Sequence, residues 1–384
     1  MYRPSVWTIP ALLLHVALAT ACGSDGRETP VDDVIATTDG TIENPDVADP
    51  RTLVDPGGPF DPGVQDAAPD APTPDSPTTD ASAADTPKDS GWADWTPDGP
   101  GPWEWNVVIA TVTRGDREIP VAAHVPARKD GRLAPVLVLL PGFQLSSDSY
   151  AGTADHLASH GIAVVRADPP ASFSDTDHVA MTADVQAVLD WIAGANSPLP
   201  GIADTDRLCV AGHSLGGKLA TMTAFADARV KALFGIDPVN AGNPFTGFSE
   251  KLPDIVPEQV VTLAIPVGFA GETTDATVGQ FGQACAPKDG NYETFWDAAT
   301  ASPWALRWDF SQANHMSFLD DPDCGLVCTV CNAAPGDPAE VVAALRTLLV
   351  AFAKRHLEAD ASMDDWLFGA LVPAGVGVAQ RIAK

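Results

Sequence analysis

Arg207-Leu208-Cys209-Val210-Ala211-Gly212-His213-Ser214-Leu215-Gly216-Gly217-Lys218 is the stretch on which the fold turns. Leu208 to Ala211 is a short apolar run of the kind that forms a strand buried on both faces, and Leu215 to Asp227 reads as an apolar helix. Between them, Gly212-His213-Ser214-Leu215-Gly216 matches the Gly-x-Ser-x-Gly elbow, in which a sharp strand-to-helix turn exposes a serine hydroxyl at the tip of a sheet. The turn leaves no room for side chains on either side of the serine, and Gly217 adds a further small residue for close helix–strand packing. The five-residue pattern alone is common. A strand before it and a helix after it give it meaning.

Outward from this elbow, strands alternate with helices. Strands are expected at Asn106–Thr113, Glu118–Pro126, Pro135–Leu140, Ile162–Asp168, Arg207–Ala211, Val230–Ile236, Val261–Phe269 and Ala305–Phe310. Helices are expected at Tyr150–Ser159, His178–Ala195, Leu215–Asp227 and Pro338–Leu357. This alternation predicts an α/β architecture, a mostly parallel central sheet with helices on both faces. Residues 103–358 fit one catalytic domain, and residues 359–384 read as a C-terminal tail.

The chain has 384 residues, with 22 Lys and Arg against 51 Asp and Glu, a formal net charge of −29. That acidity excludes nucleic acid as a partner, because phosphate binding needs clustered cations. Much of the charge lies outside the catalytic domain. Residues 23–102 contain 18 acidic residues and only Arg27, Arg51 and Lys88, together with 14 of the 35 prolines. Such a stretch buries too little apolar surface to offset the entropy of ordering, and like-charge repulsion keeps it extended. Residues 22–102 are therefore read as an acidic tether, with Trp92, Trp95, Trp103 and Trp105 marking its docking end. Residues 1–21 read as an export signal: Arg3, then an apolar run from Val6 to Ala21 that is too short to span a bilayer. Leu18-Ala19-Thr20-Ala21-Cys22 resembles the lipobox of bacterial lipoproteins, so Cys22 is the expected lipidation site and the protein is expected outside the cytoplasm, held to a membrane through that lipid alone.

A serine needs a base, and in this architecture the base follows it in the chain. His315 and His356 are the histidines beyond Ser214. His356 lies in the charged helix end Lys354-Arg355-His356-Leu357-Glu358, where a solvated face is the plain reading; His315 follows a strand that ends at Phe310, at the carboxyl edge of the sheet. His315 is the expected base. Two acids compete to orient it: Asp237, which caps the strand Val230–Ile236, and Asp275, beyond the following strand. Backbone N–H groups of Leu215 and Phe143 are the expected oxyanion donors.

Several segments together resemble the chlorophyllase family of α/β-hydrolases: Pro141-Gly142-Phe143, Ser159-His160-Gly161, the elbow with its Gly217-Lys218, Gly235-Ile236-Asp237-Pro238-Val239, Cys285-Ala286-Pro287, the stretch Asn291 to Phe295, and His315-Met316 followed by Leu319-Asp320-Asp321. They run from Pro135 to Glu358 in the family's order. The resemblance implies an α/β-hydrolase fold, hydrolysis of carboxylic esters with no metal or cofactor, and Asp237 as the acid. Where that family usually has Arg after the nucleophile, this chain has Leu215.

The expected function is that of an exported serine esterase or lipase, a monomer acting on a small-molecule or lipid-like ester. An acyltransferase with the same triad and an inactive surface-binding scaffold are the rivals. Residues Asn243 to Phe248, with Met316 and Phe318, are candidates for an apolar pocket. Cys209 lies in a core strand and reads as a buried thiol. Cys285, Cys324, Cys328 and Cys331 sit in loops and are candidates for two disulfides in an oxidising compartment, or for a zinc site.

Overall fold

The computed structural model describes residues 95–172, 176–243, 246–279, 284–322 and 330–383. The expected export signal, Cys22, Pro244, Phe245, Cys324 and Cys328 lie outside the described residues, as does the expected tether up to residue 94.

The described residues form nine strands and six α-helices. In chain order these are β1 (Trp105–Arg114), β2 (Arg117–Pro126), β3 (Ala134–Leu140), α1 (Ala151–Ser159), β4 (Ala163–Ala167), α2 (His178–Ala193), β5 (Ala203–His213), α3 (Leu215–Ala226), β6 (Val230–Ile236), β7 (Val267–Gly271), α4 (Tyr292–Ala298), β8 (Trp304–Phe310), α5 (Pro338–Leu357), α6 (Asp364–Leu367) and β9 (Val376–Ile382). They build one sheet in the order β1-β2-β4-β3-β5-β6-β7-β8-β9. Strands β3 to β8 run parallel, while β1, β2 and β9 are antiparallel to their neighbours. With its covering helices, this is an α/β-hydrolase fold.

The central strands are apolar along their whole length because both faces are covered. In β3 every residue is buried. Val136, Val138 and Leu140 point to the layer under α2, α3 and α4, whereas Leu137 and Leu139 point to the layer under α1 and α5. On the second side, Phe234 stacks on Trp308 at 5.3 Å between ring centroids, and Phe352 of α5 meets both edge-on.

Four sequence expectations change. The strand expected at Val261–Phe269 is shorter and later: Val260–Thr262 make a single 3₁₀ turn and β7 starts at Val267. Pro266 explains the cut, since it has no N–H for a ladder. Strand β5 is longer than Arg207–Ala211 and begins at Ala203. His356 is not on a solvated face; its ring packs edge-on between Trp304 and Phe352, and burial pushes its pKa down to about 3. Charged neighbours in sequence concealed aromatic packing against Trp304 of β8 and Phe352 of α5. Finally, residues 359–384 carry α6 and β9, and β9 pairs with β8 from Trp304↔Ile382 to Phe310↔Val376. Glycines at 375 and 377 and the absence of a second flanking helix hid this edge strand in the sequence.

At the other end, Trp95 to Pro102 lie on the domain. His156 and His160 meet the carbonyls of Pro97 and Gly99 at 2.9 and 3.0 Å, and the Gly101 N–H donates to Ser159 Oγ. The Trp95 ring stands 5.0 Å from that of His160.

Removing residues 359–384 should therefore cost stability. Met363 and Leu367 are buried against the α5 face, and the Leu367 carbonyl accepts the Trp308 indole N–H at 2.8 Å. Loss of those two side chains alone should cost about 3–6 kcal/mol and leave the β8 edge bare. Thermal melting of the truncated chain, stopped after Glu358, measures this; an unchanged midpoint would show that the segment adds nothing.

Candidate active site

The elbow is built by close backbone approach. A Cβ on Gly216 would lie 2.4 Å from the Leu140 carbonyl oxygen, and one on Gly212 would lie 2.3 Å from the Gly216 carbonyl. Only glycine lets β3, β5 and α3 meet this tightly. Between these glycines Ser214 is forced to φ 55°, ψ −120°. Of the four non-glycine residues with positive φ among those described, Ser214, Asp237 and Gln144 are all at the carboxyl tips of the central strands. Such conformations cost about 1–3 kcal/mol each and persist where the surroundings over-determine them. Here the Ser214 N–H donates to the Ile236 carbonyl, and the Ser214 carbonyl accepts from Val239 N–H, so the serine grips both sides of the Asp237 turn.

Asp237 and His315 meet across that turn. His315 Nδ1 lies 2.6 Å from Asp237 Oδ2, with Asp237 fully buried and His315 only 5% exposed. At that separation nothing but a proton fits between them. Burial pushes the Asp237 carboxyl up, and the imidazole hydrogen bond opposes it. Gly271, at the end of β7, makes the approach possible: a Cβ there would sit 2.7 Å from Asp237 Oδ1 and 2.2 Å from the Tyr292 ring.

Asp275, the other acid weighed from sequence, reaches His315 by a different route. Its Oδ2 accepts the backbone N–H of His315 at 2.9 Å and its Oδ1 accepts that of Asn332 at 2.7 Å. It anchors the loop rather than facing the ring. Asn314 caps the same loop, accepting from the Met316 N–H and donating to the Asn332 carbonyl. The disulfide Cys285–Cys331 clamps this assembly next to Asn332, joining positions 46 apart in the sequence. Of the four loop cysteines, Cys285 and Cys331 are thus paired with each other, so neither of these two offers a thiolate to a metal. Cys209 is a buried thiol whose pKa burial raises.

Two functional neighbours escaped the sequence reading. His213, the variable residue before Ser214, is fully buried: its Nε2 donates to the His315 carbonyl at 2.9 Å, so its Nδ1 accepts the Tyr150 hydroxyl at 2.7 Å. Burial, then the nearby His315, pushes its pKa well down and keeps it neutral. Tyr150 in turn accepts the Gly142 N–H at 3.4 Å. A continuous buried chain links the loop after β3 to the loop carrying His315. Glu272, directly after β7, is the other neighbour; one of its carboxyl oxygens lies within 4.8 Å of both Asp237 and His315. Its burial leaves no trace in the local sequence.

Leu215 opens α3, where the first N–H groups have no acceptor within the helix, and Phe143 lies in the loop after β3. Both line a cavity of about 340 Å³ with Leu145, Met181, Leu219 and Asp168. This cavity is not the pocket expected from sequence. Phe318 is instead a core residue packed edge-on against Phe310, and Met316 is buried in the same layer. Phe248 lies beneath the Lys218 ammonium, 5.2 Å from ring to nitrogen.

A strained serine at the tip of β5, followed in chain order by a carboxylate after β6 and an imidazole after β8, defines an α/β-hydrolase with its functional groups at the carboxyl edge of the sheet. Within that class, the Chlorophyllase family model matches residues 101–368, and the chain belongs to the chlorophyllase family. It is 29% identical over 208 residues to Chlorophyllase-1 of Arabidopsis thaliana, covering 50% of this chain and 61% of that protein. It is 33% identical over 194 residues to the chloroplastic Chlorophyllase-1 of Citrus unshiu, covering 48% and 56%. It is 28% identical over 232 residues to Chlorophyllase type 0 of Chenopodium album, covering 55% and 62%. The chain thus spans under two thirds of the length of these relatives.

Two outcomes follow for stability. Tyr150→Phe leaves the buried His213 Nδ1 without its donor and should cost about 1–3 kcal/mol in denaturant unfolding. Cys331→Ser, which opens the clamp, should cost about 2–4 kcal/mol. Equal unfolding midpoints for wild type and either variant would contradict the corresponding contact.

Proposed function

We propose that the protein is a serine hydrolase that cleaves carboxylic esters through Ser214, His315 and Asp237. The buried 2.6 Å contact between His315 Nδ1 and Asp237 carries the reading. It fixes the tautomer, leaving Nε2 as the nitrogen for the serine proton. Ser214 Oγ attacks the ester carbonyl carbon while Nε2 takes its proton, and Asp237 balances the imidazolium that forms. The carbonyl oxygen becomes the oxyanion, held by the N–H groups of Leu215 and Phe143. Collapse expels the alcohol, which takes the proton back from Nε2 and leaves an acyl-serine. Water then repeats the sequence, releasing the acid and restoring Ser214. The names of the plant relatives point to an ester substrate of this kind.

The cavity beside Phe143 and Leu215 is lined by Leu145, Met181 and Leu219 together with the acidic Asp168 and Glu118. It suits an uncharged ester and repels an anionic one. The protein works, in this reading, outside the cytoplasm, tethered by lipid on Cys22; the disulfide Cys285–Cys331 fits an oxidising compartment. Metabolic labelling with a radioactive fatty acid, lost in Cys22→Ala, tests the anchor.

Ser214→Ala and Asp237→Asn should each lower kcat/KM on p-nitrophenyl esters by about 10³–10⁴, whereas Asp275→Asn should lower it by only about tenfold because it loosens a loop without touching the ring. If Asp275→Asn were the more damaging acid variant, the assignment of Asp237 would fail. Neutral esters should be preferred to hemisuccinates of equal length, and Asp168→Asn should narrow that preference by about three- to tenfold. Kinetics on the paired esters read it directly. A wild-type protein that neither turns over esters nor labels with a serine-directed phosphonate would overturn the hydrolase reading itself.

A further inference from the structure

Glu272 is a carboxyl group in an unusual position. It follows β7 directly and is fully buried. Its Oε2 accepts the Asp275 N–H at 2.9 Å, while Oε1 is buried with no hydrogen-bond partner. Its backbone N–H donates to Asp237 Oδ1 at 3.4 Å, and the two side chains come within 4.8 Å of each other and of the His315 ring. Two buried carboxyls so close cannot both ionise without a cation between them.

The surrounding groups decide which one keeps the proton. Asp237 faces the imidazole of His315, whose N–H stabilises a negative charge on it. Asp275, the next acid, has both oxygens on backbone N–H groups. Tyr292, from α4, spends its hydroxyl on Asp309 of β8, and Arg307 of β8 is engaged by Asp309 and Glu293. His213 is neutral and spends both nitrogens elsewhere. Glu272 alone in this group has an oxygen that nothing donates to.

We propose that Glu272 is a positioning residue that holds a proton on its carboxyl at neutral pH, so that the Asp237–Glu272 pair presents one negative charge to His315. Its pKa is pushed up to about 9, first by burial and then by Asp237. One negative charge matches the single positive charge that the imidazole gains during attack, so the functional meaning of this proton rests on the hydrolase reading above. A second ionised carboxyl would repel Asp237 from the ring.

The proton itself is read without turnover. Infrared spectra of the full chain carrying ¹³C-labelled glutamate should contain, at neutral pH, the carbonyl stretch of a protonated carboxyl that shifts with the label; no such band overturns the proposal. The sign of the stability effect is also fixed. The folded state binds a proton that the unfolded state releases near its ordinary value of 4.5, so wild type loses stability as pH rises from there and the loss levels off near 9. Glu272→Gln is neutral throughout and keeps its stability, so its melting point should gain on wild type between about pH 5 and about pH 9. A constant difference between the two melting curves across that range is what a merely structural role gives, and it overturns the proposal. In kcat/KM profiles, wild type should fall as Glu272 ionises and Glu272→Gln should lack that alkaline limb; identical profiles overturn the charge-matching role. If no ester is turned over at all, the hydrolase reading fails while the infrared and melting results still decide the proton.

Discussion

The close passage of Gly216 beneath the Leu140 carbonyl is the constraint on which the site depends. It brings β3, β5 and the start of α3 into backbone contact, and the serine between them has no relaxed conformation left. The resulting strain is tolerated because the strands around it are buried on both faces: β3 in its entirety and β6 except for Lys231. The same packing bends the chain after β6, where Asp237 is held at φ 41° by its N–H bond to the Ala270 carbonyl. Serine and carboxylate are thus strained by one arrangement of strands, and neither can shift without the other.

Three carboxyls gather around His315, and their hydrogen bonds give them different chemistry. Asp237 points at the ring, Asp275 holds the backbone of the loop, and Glu272 lies behind Asp237 with an oxygen that receives no donor. Their separation in sequence says nothing about this division. It follows from which donors the turns after β6, β7 and β8 leave available. The relay from Gly142 through Tyr150 and His213 to the His315 carbonyl adds a second connection, joining the loop after β3 to the loop after β8 beneath the serine. Both sides of the site are in this way referenced to one buried framework.

The family match ends at residue 368, yet β9, which completes the sheet, lies beyond it. This edge is held by backbone pairing along the whole of β8 and by few large side chains, so its residues are constrained mainly to keep an extended backbone. Some edge strands carry little sequence signature for that reason. The acidic, proline-rich segment before residue 95 also lies outside the match.

Patterns whose cause is local were legible in the sequence. The elbow at Gly212 to Gly216, the apolar central strands and the amphipathic helix Pro338–Leu357 each follow from a few adjacent residues obeying backbone sterics or burial periodicity. Chain order and the position after β8 also singled out His315. Contacts between distant turns were decided only by the tertiary structure. Asp237 and Asp275 stayed equivalent on spacing alone, because both are acids at strand ends; the direction of the β6 and β7 turns separates them. Glu272 and Tyr150 were invisible, since nothing in a glutamate after a glycine or a tyrosine before a helix tells how deeply each is buried. His356 looked solvated beside Lys354 and Arg355 until Trp304 covered it. A sequence records what each residue prefers next to its neighbours, whereas the charge state and hydrogen bonds of a buried group depend on residues far along the chain that the fold brings against it.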